Sequence, residues 1–120
     1  MKVLLLLATL HPWFQQMVEH HNLIRYEHGL VALSIDDQLM KEADEHAQWM
    51  AENKILRHAD ITHGSENIAR AKVNPKEVVD LWMDSPGHRS NILNPKWQRI
   101  GVAVYKSDDG DYWWCVRFSK

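Results

Sequence analysis

IGVAVYKSDDGDYWWCVRF, residues 100–118, carries the clearest two-residue alternation in the chain. Ile100, Val102 and Val104 alternate with Gly101, Ala103 and Tyr105; Tyr112, Trp114, Val116 and Phe118 alternate with Trp113, Cys115 and Arg117. A period of two sends successive side chains to opposite faces of a sheet, so the stretch predicts two strands. Asp108, Asp109, Gly110 and Asp111 between them supply turn chemistry, with Gly110 able to take positive φ, and the strands are expected to form an antiparallel hairpin.

Upstream the period changes. Phe14, Met17, Val18, His21 and Ile24 recur at three and four, which predicts an amphipathic helix ending near Gly29 as its C-cap. Ser34 and Asp37 stand in capping-box spacing ahead of Leu39, Ala43, Ala47 and Met50, a second helix running to about Asn53. The segment from Ile55 to Gly64 is irregular, and Ser65 is placed to cap a short helix from Glu66. Asn74 and Pro75 suit the N-cap and first position of a further helix through Val78, Val79 and Trp82, which Ser85, Pro86 and Gly87 should stop.

Helices first, then a terminal hairpin, without strand–helix–strand alternation, is the order of an α+β domain. Two strands alone make a marginal sheet, so one or two further short strands are expected, first of all around His58. With 120 residues, 45% of them hydrophobic, the chain has the material for one domain and one continuous core. Fourteen basic and 16 acidic residues are spread along it, so no basic stripe marks a nucleic-acid binder. Cys115 is the lone cysteine; no intramolecular disulfide can form, and its apolar, strand-like setting reads as an inert buried thiol.

Residues 1–12 begin with Met1 and Lys2 and continue as an apolar run from Val3 to Leu10. This reads either as the front of a secretory signal or as an apolar lead-in to a domain spanning 13–120. His11, Pro12 and Trp13 stand where a small-residue cleavage site would be wanted, and the run is too short to span a bilayer.

Eight histidines are many for a chain this short, and histidine both ligates metals and titrates near neutrality. His58, Glu66, Glu77 and His88 are separated by eight, eleven and eleven positions, so only the tertiary fold could bring them together. Two neutral imidazoles with carboxylates suit zinc or a similar divalent ion, as ligands or as groups that orient the ligands. Each residue also has a purely structural reading. Glu77 falls three residues after Asn74, where it can close a capping box; Glu66 follows Ser65 at a predicted helix start; His58 and His88 fit ordinary loop positions. His20 and His21 are adjacent on a helix and cannot face the same way, and His11, His28, His46 and His63 show no partner constellation.

Six ordered segments bear on that choice: HAQWMAENKILRH (46–58), GSENIA (64–69), EVVDLWM (77–83), SPGHRSNILNP (85–95), IGVAVY (100–105) and WWCVRF (113–118). Together, with Asn22 and Arg25 on the first helix, they resemble the CAP superfamily of cysteine-rich secretory, antigen 5 and pathogenesis-related proteins, nearest to its small bacterial SCP-like branch. The resemblance runs from about Phe14 to Phe118. It implies a three-layer α-β-α sandwich with a small central antiparallel sheet and a cleft lined by His58, Glu66, Glu77 and His88, in which the two histidines hold zinc or another divalent ion. It also implies secretion.

Three functions follow as expectations. The cleft could be a binding module that captures a ligand or peptide. It could be a metal-dependent hydrolase of peptide or cell-wall substrates with Glu66 or Glu77 as general base, for which no Ser or Cys nucleophile is evident. A third reading is lipid or sterol carriage in a groove lined by Trp82, Trp97, Trp113 and Trp114, side chains that more commonly fill a core.

Overall fold

The computed structural model describes residues 12–120. Its elements in chain order are α1 (Pro12–Glu27), β1 (Ser34–Ile35), α2 (Asp37–Asn53), β2 (Ser65–Arg70), α3 (Pro75–Met83), α4 (Pro86–Ile92), β3 (Arg99–Lys106) and β4 (Tyr112–Ser119). The four strands form one sheet in the order β1-β3-β4-β2. β4 pairs antiparallel with both β3 and β2, and β1 adds two residues parallel to β3. The predicted hairpin is present, with Gly110 at φ 90° in its turn.

Alternation on β3 and β4 divides the interior in two. Ile100, Val102, Trp114, Val116 and Phe118 face α1 and α3, where they meet Met17, Val18, Ile24, Val78, Val79 and Trp82. Ala103, Trp113 and Cys115 face α2, meeting Ala43, Ala47, Met50 and Ala51. Small residues on both sides let α2 lie close to the sheet: a Cβ on Gly101 would stand 2.2 Å from the backbone carbon of Leu39. The result is the expected α-β-α layering, with α4 beside the free edge of β2.

Four local expectations are corrected. Ser34 does not cap α2: it is held in β1, its N–H donating to the Gln98 carbonyl, and Asp36 is the N-cap, accepting from the Leu39 N–H at 2.9 Å. Ser65 does not open a helix either. Gly64, at φ 75° and pressed against the Phe118 carbonyl, turns the chain into β2, whose six residues pair in register with β4. The additional strands are therefore β1 and β2, and the segment around His58 is irregular. Finally, Pro86 does more than end α3; it is the first residue of α4, as proline's fixed φ permits. The proposed lead-in over residues 1–12 lies outside the described residues apart from Pro12, the first residue of α1.

Candidate functional site

Glu66 pairs with Arg117 across β2 and β4, so both side chains point to the α2 face. The Glu66 side chain is 1% exposed. Its Oε1 accepts from Nδ1 of His58 at 2.8 Å and from the Ala59 N–H at 3.0 Å, tying the irregular 54–64 segment to the sheet. A carboxylate only accepts, so in the neutral imidazole this bond places the proton on Nδ1 and leaves Nε2 of His58 with its lone pair. The rest of that imidazole is open: the His58 side chain is 61% exposed.

Such a buried carboxylate needs compensation. Arg117 supplies it, with Nε 3.9 Å from Glu66 Oε2 and its other end bonded to Glu42 of α2 at 3.2 Å. Cys115 lies behind, its Sγ 3.6 Å from Glu66 Oε2. Burial, with the Glu66 charge added, pushes that thiol well above its ordinary range, which makes it no nucleophile at neutral pH.

His88 reaches the same region from the other face of β2. It is the third residue of α4, where its Nδ1 meets Ser85 Oγ at 3.0 Å and its ring lies against Trp82. Ser85, at the N-cap position, makes no side-chain cap bond, so its hydroxyl serves His88 instead. Burial first, and the neighbouring charge of His58 second, hold His88 below the usual histidine range. Each of the two imidazoles has its Nδ1 engaged locally, His58 by Glu66 and His88 by Ser85.

Glu77 stands apart. It is exposed in the first turn of α3 and closes a capping box: Asn74 Oδ1 accepts the Glu77 N–H at 2.9 Å, and Glu77 Oε1 accepts the Asn74 N–H at 3.2 Å. Among the described residues no hydrogen bond or ion pair joins it to His58, Glu66 or His88, and no three His, Cys, Asp or Glu side chains cluster as a ready metal cage. Beside His58 an open cleft is lined by His46, Trp49, Arg57, Ala59 and Asp60; His46 stacks on Trp49 and Arg57 lies 4.7 Å over the same indole.

Sequence reasoning missed Asn67, Asn91 and Arg117. Asn67 is fully buried, donates to the His88 carbonyl at 3.1 Å and accepts from Asn91 at 2.8 Å. The two asparagines stand within the segments GSENIA and SPGHRSNILNP, one residue beyond Glu66 and three beyond His88. A polar residue in a strand that alternates inward was the available signal for Arg117.

The sequence model of the CAP family, the cysteine-rich secretory protein family, matches residues 18–118. The chain belongs to the CAP family. This CAP domain is 37% identical over 122 residues to the uncharacterized protein YkwD of Bacillus subtilis, covering 88% of this chain and 47% of YkwD. It spans about half the length, or less, of the Bacillus relatives it matches. Among solved structures, an outer surface protein from Borrelia burgdorferi superposes with a TM-score of 0.80 at 22% identity, over 92% of this chain and 94% of that one. An extracellular protein with an SCP domain from Bacillus anthracis gives 0.75 at 28% identity, over 88% of this chain and 40% of that one. Among the described residues no helix is long and apolar enough to cross a membrane.

Proposed function

We propose that this CAP domain is an extracytoplasmic binding module. Its cleft holds a divalent cation, with zinc the best chemical match, on Nε2 of His58 and Nε2 of His88, and captures a ligand or peptide there. The observation that carries the reading is the shared state of the two imidazoles. Each has Nδ1 in a hydrogen bond, His58 with the buried Glu66 carboxylate and His88 with the Ser85 hydroxyl, and neither Nε2 has a hydrogen-bond partner among the described residues; with Ser85 accepting from Nδ1, both Nε2 atoms face a metal with a lone pair. A carboxylate behind a ligating histidine fixes its tautomer and raises its basicity, and Glu66 is placed to do both. Two protein ligands leave coordination positions open for an incoming group, the arrangement a capture site needs. The extracytoplasmic setting is supported by the outer-surface and extracellular proteins that share the fold, and by the basic and apolar start of the sequence.

A metal of this kind supplies Lewis-acid polarisation of a bound oxygen. The protein's own groups favour holding over hydrolysis. Glu66, the nearer general-base candidate, is buried and already accepts from His58 and Ala59, so it suits orienting an imidazole more than taking a proton from water. Nor do the tryptophans favour lipid carriage: Trp82, Trp113 and Trp114 are core side chains.

Calorimetric titration with zinc tests the site. Wild type should bind, and the His58→Ala, His88→Ala double variant should lose the transition; equal binding by both refutes it. Zinc-dependent cleavage of peptide or cell-wall substrates, abolished in Glu66→Gln, would replace the binding reading with the hydrolytic one.

A further inference from the structure

We propose that Asn67 and Asn91 are positioning residues that set where His88 stands relative to His58, an inference that rests on the reading of those histidines as one site. β2 is an edge strand, and consecutive residues on it point to opposite faces. Glu66 uses one face to hold His58 through its side chain. Asn67 uses the other to hold His88 through its backbone: Nδ2 donates to the His88 carbonyl at 3.1 Å. Asn91, one turn along α4, completes the tie. Its Nδ2 lies 2.8 Å from Asn67 Oδ1 and 3.3 Å from the Glu66 carbonyl, so α4 is fastened to the residue that anchors His58 as well as to its neighbour. One dipeptide, Glu66-Asn67, thereby carries both imidazoles.

α4 needs such fastening. It has seven residues and no side-chain cap bond at its N-terminus, and a helix of that length does not hold itself together. Its other end is fixed independently: Ile92 is fully buried, and the buried guanidinium of Arg25 donates to the Ile92 and Asn94 carbonyls, both at 2.9 Å. With the far end pinned by Arg25, the asparagine pair governs the His88 end. Asn67 and Asn91 hydrogen-bond to neither imidazole among the described residues; their bonds run to the α4 backbone, the Glu66 carbonyl and each other, so their effect on a bound cation passes through α4.

A double-mutant cycle on zinc affinity tests this. Asn91→Ala should weaken zinc binding about 10-fold or more, the effect usual for groups behind a metal ligand, at a temperature where the variant remains folded by circular dichroism. In a His88→Ala background the same substitution should change the residual affinity less than about 2-fold, since Asn91 would have no ligand left to position. Equal losses in both backgrounds, or no loss in the first, overturn the proposal. If wild type shows no histidine-dependent zinc binding, the reading under Proposed function fails, and the tether is then judged on the metal-free protein. There Asn67→Ala and Asn91→Ala should each speed amide exchange in residues 89–92 about 10-fold without changing β3 or β4, and unchanged exchange overturns it.

Discussion

His58 and His88 flank the same edge strand, yet one is held by its side chain and the other chiefly through its backbone. His58 sits on an irregular segment that carries no helix or strand of its own, and it gains a fixed ring from a charged bond to a carboxylate with 1% exposure. His88 sits on a short helix tied down by amide side chains, with Ser85 adjusting its ring. Ring orientation and ring position are therefore separate problems. A loop histidine needs both solved at the side chain; a helical histidine inherits position from its helix, provided the helix is held.

Removing Glu66 should strike hardest, because the buried Arg117 would keep only the more exposed Glu42 as its counter-charge and the 54–64 segment would lose its anchor. Glu66→Ala is expected to cost about 4 kcal/mol in urea unfolding. At temperatures where it remains folded, amide exchange in the 57–60 segment should rise while residues 89–92 stay protected. Loss of protection at both places would merge the two supports into one.

The face of the sheet that packs on α1 and α3 carries a pH liability. His21, fully buried on α1 with its ring near Trp82 and Phe118, is lowered to about 4, chiefly by burial. The unfolded chain, with an ordinary histidine value near 6.5, takes up this proton first as pH falls. Its contribution is therefore intact above pH 6.5, is lost progressively from 6.5 to 4, and is gone below 4. The shift amounts to about 3 kcal/mol across that window. His88, also lowered by burial, adds in the same direction. Urea midpoints from pH 7 to 4 should fall steeply in wild type and visibly less in His21→Phe; equal slopes would remove His21 from the account.

Asn67→Ala, which strands its partners on the His88 side, should cost about 2 kcal/mol. Its thermal midpoint should fall without the exchange at 57–60 changing, the mirror image of Glu66→Ala. Smallest of all, Glu77→Ala should lose only its half of the α3 capping box, about 0.5 kcal/mol, with zinc affinity unchanged. A clear loss of zinc affinity there would bring Glu77 back into the cleft.

Legibility in the sequence followed the range of the interaction. The hairpin, α1, α2 and the Asn74-Pro75 start of α3 were readable because periodicity and caps are local signals. Ser65 misled because serine before glutamate also begins helices, and only pairing with β4, nearly fifty residues on, makes the segment a strand. The bond between His58 and Glu66 has no local signature; the resemblance to CAP proteins only put the two residues in one cleft with Glu77 and His88, and the residues alone gave Glu66 a helix-start role it does not have. For Glu77 the local reading was informative, since the capping box it suggested is present. Asn67 and Asn91 were passed over because an asparagine inside a motif looks like a turn former until its amide is seen bridging two elements.

Crystals grown with zinc, with anomalous scattering recorded on both sides of the zinc edge, show whether His58 and His88 share one cation. The account predicts one strong peak within bonding distance of Nε2 of both His58 and His88, with Glu66 still bonded to Nδ1 of His58. Zinc bound to one of the two alone, or to other histidines such as His46 and His63 while these two stay bare, would contradict it.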